Sequence, residues 1–399
     1  SYDTAAQTTT REARTTVGGT PTWVPYVDTY RSNVLVRQSL PSGAVLRYSY
    51  DARLNLTAVQ DPNGFVQEWA FDANGDLVTQ STPVDSSTSA VVQFTYDRNH
   101  RMTSQTDALG NRTTYDYQGG RLTSITPPGG REGATTFSYA GPLLTEVATP
   151  IGRQTFVHDA MGNVVQVNEY GQSRSALNGN GSRATFNEAG LKTSATDPRG
   201  VPENGPVDPA FTTTWTYDDA GNLLSTRSPV GVVTSFAYDS AADVVSSTDP
   251  SGTTSYAWHE ASLTRTTTAP GGLVTTELYD PSANLLSQAT PNGARTSYLN
   301  DALGRPATVI DPSGRRTAIT YDAMGQSVLF DDGSGSVVRQ QYDSMNRLIR
   351  QAAGDGQNLM RYDLAGRQLR LQDMNGAVTT RTYDARGNVT SVTDGAGTN

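Results

Sequence analysis

An aromatic-aspartate pair recurs along the chain about every 21 residues, and this period constrains the fold more than any other feature. Neighbouring copies are 19 to 25 residues apart, except for two intervals of 28 and 31 residues. A period of this size indicates a repeat architecture, in which each unit packs on its neighbours. The sixteen copies are Tyr50-Asp51, Phe71-Asp72, Tyr96-Asp97, Tyr117, Tyr139, His158-Asp159, Phe186, Tyr217-Asp218, Tyr238-Asp239, Trp258, Tyr279-Asp280, Asn300-Asp301, Tyr321-Asp322, Tyr342-Asp343, Tyr362-Asp363 and Tyr383-Asp384.

Each repeat contains two Asp-x-x-Gly tetrapeptides, which the sequence predicts to be turns. The stretch DPSGRRTAITYDAMG at 311–325 begins with one and ends with the other. Asp is favoured at the first position of a type I turn because its carboxylate accepts a backbone N–H, Pro is favoured second and Gly fourth. A final glycine in the left-handed region completes a hairpin turn with a bulge. We therefore expect Gly325 and Gly387 to have positive φ.

The segments between these turns are about seven residues long and are predicted to be β-strands. The strand that enters the pair alternates, as in Thr317, Ile319 and Tyr321, which indicates one packed face. The other segment, such as RLTSIT at 121–126, alternates poorly and is predicted to be a bulged strand. The fold class is therefore all-β, an array of about 16 antiparallel hairpin repeats. Because neighbouring strands twist by ~20–25°, we expect the strip to spiral.

The repeat also predicts the domain organisation. We expect residues 30–399 to form one continuous array and residues 1–29 to be an irregular N-terminal segment. The two long intervals place insertions near 171–183 and 199–210, which are rich in Gly, Asn and Pro and are predicted to be projecting loops. Three tryptophans at the aromatic position or two residues before it are predicted to anchor the packed face: Trp69, Trp215 and Trp258.

Composition excludes several classes of function. Only 35% of the residues are hydrophobic, which favours a thin layered structure over a deep aliphatic core. A net charge of −9 argues against a nucleic-acid partner, because phosphate binding needs clustered Lys and Arg. The absence of cysteine excludes disulfides and thiolate metal sites. No apolar run of about 18 residues and no basic, apolar N-terminus occur, so neither a membrane span nor a signal peptide is predicted.

Candidate catalytic and metal-binding side chains follow the turn period. The three histidines, His100, His158 and His259, lie far apart in sequence, at or near turns, and are interpreted as structural. The aspartates recur with the turns, which favours turn capping over a pair of catalytic carboxylates. Asp331-Asp332-Gly333 resembles the start of a calcium loop but lacks the later glutamate. We therefore predict a protein that is not an enzyme, with no catalytic, cofactor-binding or metal residues and no cofactor.

Several copies resemble the Rhs repeat, also called the YD repeat: YDARGNV at 383–389, YDDAGNL at 217–223 and NDALGRP at 300–306. The resemblance covers about nine-tenths of the chain. That family includes bacterial Rhs polymorphic toxins, the B and C components of Tc toxins, cell-wall-associated toxins and animal teneurins. Their repeats form a spiralling β-shell, which in the bacterial members encapsulates a C-terminal toxic domain.

The resemblance implies a non-enzymatic scaffold, a shell segment of a bacterial Rhs-type toxin that is exported or attached to a cell surface. The implied partners are further repeats and a toxic domain of the same polypeptide, the secretion apparatus or the target-cell surface. The sequence begins with Ser1 and stops within a repeat, without the family's self-cleavage segment or toxin, so we expect a piece of a longer chain. A teneurin-like surface module that binds glycans or proteins is the main alternative, and a polysaccharide-acting β-enzyme is a third.

Overall fold

The computed structural model describes residues 2–3, 7–171, 181–202, 205–395 and 397–398, and their regular structure is almost entirely β-strand. The helical segments within these ranges are single 3₁₀ turns: Arg131–Gly133, Pro198–Gly200, Pro209–Phe211 and Glu260–Ser262. None of the described helices has the length and apolar character needed to cross a membrane. The all-β prediction is therefore confirmed.

The strands follow one another along the chain with short turns between them. The first ten are β1 (Tyr2–Asp3), β2 (Thr8–Val17), β3 (Thr20–Arg31), β4 (Val34–Ser39), β5 (Val45–Tyr50), β6 (Leu56–Gln60), β7 (Val66–Phe71), β8 (Leu77–Pro83), β9 (Ser89–Tyr96) and β10 (Met102–Thr106). The next thirteen are β11 (Arg112–Gln118), β12 (Arg121–Thr126), β13 (Thr135–Ala140), β14 (Leu143–Thr149), β15 (Gly152–His158), β16 (Val164–Gly171), β17 (Ser182–Phe186), β18 (Lys192–Thr196), β19 (Thr212–Tyr217), β20 (Leu223–Arg227), β21 (Val233–Tyr238), β22 (Val244–Asp249) and β23 (Gly252–His259). The last fourteen are β24 (Thr264–Ala269), β25 (Leu273–Tyr279), β26 (Leu285–Ala289), β27 (Arg295–Asn300), β28 (Pro306–Ile310), β29 (Arg316–Tyr321), β30 (Ser327–Asp331), β31 (Val337–Tyr342), β32 (Leu348–Ala353), β33 (Gly356–Tyr362), β34 (Gln368–Gln372), β35 (Val378–Tyr383), β36 (Val389–Asp394) and β37 (Gly397–Thr398).

These strands fall into two compact units. The first contains the chain up to Thr113, residues Glu260–Thr264 and the chain from Thr276 onwards. In it, successive strands pair antiparallel from β1 to β10 and from β25 to β37. The second contains Thr114–His259 and Arg265–Thr275, and successive strands pair antiparallel from β11 to β23. Strand-after-strand pairing is the predicted hairpin array.

The strand that enters each Tyr-Asp pair has two unlike faces. In β21, Phe236 and Tyr238 are half-buried, whereas Val233, Ser235 and Ala237 are exposed. The same alternation occurs in β7, which ends at Phe71. We call the side that carries these aromatic residues the tyrosine face, and the other side the opposite face.

A bulge follows each Tyr-Asp turn, in the strand whose alternation is poor. Thr320 pairs with Leu329 and Tyr321 pairs with Ser327, so Val328 is an extra residue on β30. The same shift occurs at Tyr383. The extra residue moves the following side chains across the sheet, which explains why the sequence alternates poorly there.

Glycine at the end of the turn has the left-handed conformation that the turn geometry requires. Gly325 and Gly387 have φ angles of 89° and 88°. The N–H of Gly387 donates to the carbonyl of Asp384 at 3.1 Å, and the N–H of Asp384 donates to the carbonyl of Asn388 at 2.9 Å. Five turns of this class carry a residue other than glycine at the same position, with φ between 60° and 68°: Leu54, His100, Ala242, Ala283 and Asn346. The sequence did not predict these five left-handed residues.

The N-terminal segment departs from the sequence-based expectation. Residues 8–31 are not irregular: β2 and β3 form a continuous antiparallel hairpin of 10 and 12 residues. In the second insertion, 3₁₀ turns at Pro198–Gly200 and Pro209–Phe211 flank the undescribed residues 203–204. Most of the first insertion, residues 172–180, lies outside the described part of the chain. Trp258 is 48% exposed, so the prediction that it anchors a packed face is wrong.

The structure has little deep core. Buried apolar side chains within the described ranges are few and scattered: Val24, Ala44, Ala90, Val201 and Met360. Most strand residues are instead partly covered by their neighbours in a single sheet layer. Stability must therefore come from contacts between adjacent strands and from the turns that join them.

Replacing Gly387 by Val tests the turn geometry. A β-branched residue resists φ near 88°, so we expect the free energy of unfolding to fall by about 1–2 kcal/mol, measured by denaturant titration. Gly387→Asn is the matched control, because Asn tolerates the left-handed region, and its loss should be clearly smaller. Equal losses for the two variants would show that φ strain is not the cause.

Candidate functional site

The aspartate of each Tyr-Asp pair caps its own turn. In the last repeat, Oδ1 of Asp384 accepts hydrogen bonds from the backbone N–H groups of Arg386 at 2.9 Å and Asn388 at 2.8 Å. Its Oδ2 accepts a third from Nδ2 of Asn388 at 2.9 Å. An Asn or Arg four residues after the aspartate makes the same side-chain contact in eight further pairs: Asp51, Asp97, Asp159, Asp218, Asp280, Asp301, Asp343 and Asp363.

These hydrogen bonds favour the charged carboxylate. The side chain of Asn388 holds the pKa of Asp384 below its usual value, with help from the backbone N–H of the same residue. The Arg101 guanidinium, which is hydrogen-bonded to Asp97, lowers the pKa of that carboxyl to about 2. Aspartates of this kind are ionised at neutral pH and act as fixed acceptors.

The tyrosine of each pair is bonded to the preceding repeat. The hydroxyl of Tyr383 donates to the carbonyl of Gln368 at 2.8 Å, and that of Tyr321 donates to the carbonyl of Pro306 at 2.9 Å. In each case the acceptor is five residues after the preceding aspartate. Tyr238, Tyr342 and Tyr362 make the equivalent bond. Asn300, which replaces tyrosine, makes it through Nδ2 to the carbonyl of Leu285 at 3.1 Å.

An arginine after the turn joins the same two repeats. Arg367 donates to Oδ2 of its own Asp363 at 2.7 Å, and its other end donates to the carbonyl of Asp384 at 2.9 Å. Its guanidinium lies 4.9 Å from the ring centroid of Tyr383, a cation–π distance. Arg347 repeats all three contacts one repeat earlier. The sequence shows arginine at this position, but its contact with the next repeat was not predicted.

The structure thus brings each Tyr-Asp pair together with its neighbour in the array rather than into one cluster. Tyr279 differs, because its hydroxyl donates to Oε2 of Glu277 at 3.1 Å. Asp239 and Asp322 accept the two backbone N–H groups of their turns. Gly325 lies at the end of its turn. A Cβ added to Gly325 would lie 3.1 Å from a terminal guanidinium nitrogen of Arg305.

A second contact, which the sequence did not predict, fastens the N-terminal hairpin within the first unit. Oδ2 of Asp280 accepts hydrogen bonds from Oγ1 of Thr15 at 2.8 Å and from the backbone N–H of Thr16 at 2.9 Å. The N–H of Gly18 donates to the carbonyl of Asn300 at 2.9 Å. Thr15, Asp280 and Asn300 are 2–3% exposed. We call this contact between residues 265 positions apart the N-terminal clasp.

The clasp uses repeat positions that are half-buried in most other copies, as at Asp322 and Asp384. Val17 pairs in parallel with Asn300, and Oγ of Ser282 donates to the carbonyl of Arg14 at 2.8 Å. Burial raises the pKa of Asp280, but hydrogen bonds from Asn284, Thr15 and Thr16 outweigh it and leave the pKa lowered. The sequence-based expectation treated this stretch as irregular, although the β-branched residues at both ends of TTTREARTTV are typical of a strand. Nothing in the stretch identifies its partner 265 residues away.

Histidines and carboxylates do not converge on a metal or catalytic centre in the described ranges, where no group of three or more His, Cys, Asp or Glu could hold a metal ion. His100 occupies a left-handed turn position, and its Nδ1 lies 2.9 Å from Oδ1 of Asp76. His259 contacts Oγ1 of Thr266 through Nε2 at 3.3 Å.

Acid should weaken the array. Each capping aspartate with a lowered pKa stabilises the folded state fully above its unfolded pKa near 4, and this contribution is lost as pH falls through the lower folded value. We therefore expect the urea midpoint to be constant from pH 7 to about pH 5 and to fall from about pH 4 to about pH 2. A midpoint that is unchanged at pH 2.5 would show that the caps contribute nothing.

Asp280→Asn should be much more damaging than Asp384→Asn, although the two residues occupy the same turn position. The first substitution leaves buried donors of the clasp without an anionic acceptor, and we expect a loss of about 2–4 kcal/mol in the free energy of unfolding. The second affects one exposed turn. Denaturant titration compares them, and hydrogen exchange at Thr16 should accelerate in the first variant alone. Equal losses would mean that the clasp adds no stability.

Comparison with known proteins agrees with this geometry. The family model described as "Teneurin YD-shell" matches residues 178–384, just over half of the chain, and "RHS Repeat" matches 33–66, 71–112 and 96–132. A solved TcdB2-TccC3 structure matches with a TM-score of 0.56 at 13% identity, over 93% of this chain and 27% of that one. A Photorhabdus luminescens Tc holotoxin pore matches with a TM-score of 0.54 at 13% identity, over 96% and 24%.

The chain spans about a quarter of the length of those two solved chains, and at that identity they establish the fold alone. No curated protein matches. The family models, however, match the same Tyr-Asp repeats whose turns and tyrosine bonds are described above. The chain therefore belongs to the Rhs and teneurin YD-shell family, and its repeats are those of a structural shell scaffold.

Proposed function

We propose that this chain is a shell segment of a bacterial Rhs-type polymorphic toxin, which encloses or delivers a toxic domain located further along the same polypeptide. The observation that carries the proposal is the repeat-to-repeat bonding of a single sheet layer. The Tyr383 hydroxyl and the Arg367 guanidinium bond to neighbouring hairpins, and the Asp384 carboxylate fixes the turn of its own hairpin. A sheet that is stabilised in this way can extend as a wall without a core of its own. The Tc toxin assemblies among the solved relatives support the same assignment.

The chemistry of the carboxylates supports a wall rather than an enzyme. A general acid needs a carboxyl whose pKa is raised towards neutrality. The pKa of Asp384 is lowered instead, and hydrogen bonding to Arg101 lowers the pKa of Asp97 to about 2. The carboxylate oxygens of Asp97 are occupied by turn N–H groups and the Arg101 side chain. These aspartates recur at the spacing of the hairpin turns, which is the spacing expected of turn caps. We therefore place any catalytic activity of the full protein outside these repeats.

Enclosure fits a protein that acts outside the cell that makes it. A toxic domain inside a shell is shielded during export, and the remaining partners would be the secretion apparatus and the surface of the target cell. The name of the matched family also favours a second candidate, a surface recognition module of the teneurin type that binds glycans or proteins. An array of neutral glycans separates the two, because a wall that only encloses should show no selectivity among neutral sugars.

Limited proteolysis of the natural polypeptide that carries this chain tests enclosure. We expect its toxic domain to be cut at least about tenfold more slowly than the same domain expressed alone, because the protease reaches it only when the shell opens. Unfolding the shell with urea should abolish the protection. Cleavage at the rate of the isolated domain would contradict the proposal, as would a natural polypeptide that contains no domain besides repeats.

A further inference from the structure

Four arginines cross the opposite face of neighbouring strands in the first unit: Arg339 on β31, Arg350 on β32, Arg361 on β33 and Arg370 on β34. The pairing places them on one side of the sheet. Gln341 precedes Tyr342 on β31, so its side chain lies on the opposite face, and it pairs with Arg350 on the next strand. Arg361 pairs directly with Arg370. We call these four residues the arginine row.

The register gives the dimensions of the row. Arg339 and Arg350 are offset by two residues on adjacent strands, and so are Arg350 and Arg361. With strands ~4.8 Å apart and a rise of ~3.4 Å per residue, successive Cα atoms are about 5–8 Å apart and the row is about 20 Å long. The row therefore presents four positive charges along one diagonal line.

The arginine row has no anionic partner within the described part of the chain. Arg350 donates through Nε to Oε1 of Gln357 at 2.8 Å, and Arg370 donates through Nη2 to Oε1 of Gln372 at 3.2 Å. The turn arginines, by contrast, pair with aspartates. The described residues of strands β30–β35 include one acidic residue on this face, Asp331. Its Oδ1 accepts the N–H of Gly333. Asp331 is offset by two residues from Arg339 on the adjacent strand, so the row is a basic patch with one acidic neighbour, at its Arg339 end, on a chain of net charge −9.

The neighbouring side chains indicate what such a patch binds. Guanidinium groups bind carboxylates and sulfates through two parallel hydrogen bonds. Around the row on this face lie Gln341, Gln357 and Thr380, whose amides and hydroxyl can bond sugar hydroxyls. The strand positions on this face of β31–β35 carry no aromatic side chain among the described residues, so nucleic-acid bases have nothing to stack on.

We propose that the arginine row is a binding surface for a linear acidic polysaccharide whose sulfate or carboxylate groups are spaced about 5–8 Å apart. The face carries few apolar side chains there, Leu359 and Val337 among them, which offers an acidic peptide little hydrophobic burial. The proposal does not depend on whether the shell encloses a toxic domain, because the patch belongs to this chain's own sheet.

The test measures binding of the 399-residue chain to dextran sulfate and to a polyuronate, with neutral dextran as the blank, from 50 to 200 mM NaCl. We expect salt-sensitive binding to at least one of the two polyanions. Arg350→Gln combined with Arg361→Gln should weaken it by about 4- to 25-fold, at about two- to fivefold per exposed arginine, and should reduce the salt dependence. The two polyanions distinguish a sulfate site from a carboxylate site.

The matched control is Arg98→Gln combined with Arg131→Gln, two exposed arginines outside the row whose loss changes the net charge equally. Its affinity should stay within about twofold of the parent chain. Both double variants should unfold at the same temperature as the parent, because all four sites are exposed. Absence of binding at 50 mM NaCl, equal weakening by both double variants, or equally tight binding of a single-stranded oligonucleotide of the same charge would overturn the proposal.

Discussion

The hydrogen bonds of the turn aspartate are the interaction on which the rest of the structure depends. One carboxylate accepts two backbone N–H groups and one side chain, as in Asp384, and so fixes where the chain reverses. A fixed reversal sets the strand length and the bulge, and these bring the tyrosine before the aspartate within reach of the preceding repeat. Strand pairing, tyrosine bonding and arginine stacking all follow from turns that recur at one spacing.

Stability in such an array is spread along the chain. Because few apolar side chains are buried, each hairpin depends on its immediate neighbours, and loss of one turn should loosen its surroundings more than the whole. The N-terminal clasp is of a different kind, because it joins residues 265 positions apart through the buried Asp280. The stability of the β2–β3 hairpin therefore depends on that of a repeat far along the chain.

The sequence predicted the local features well because their causes are local. Asp, Pro and Gly favour particular turn conformations, so the turns at Asp311 and Asp384 could be located from residue types alone. The left-handed Leu54 and Ala283 could not, since those residues resist the conformation and adopt it only because the flanking strands are paired. The clasp could not either, because no local pattern encodes contact between Thr15 and Asp280.

The two faces of the sheet carry different constraints, and this separation bears on function. On the tyrosine face, a side chain such as Tyr383 has a fixed acceptor and a stacked arginine, so a substitution there disturbs two repeats. On the opposite face, Arg350 and Arg361 are exposed and outside the turn network, so their identity is free of the demands of folding. The four arginines on that face of β31–β34 can therefore change without disturbing the turns, which separates the proposed binding of an anionic polymer from the stability of the array.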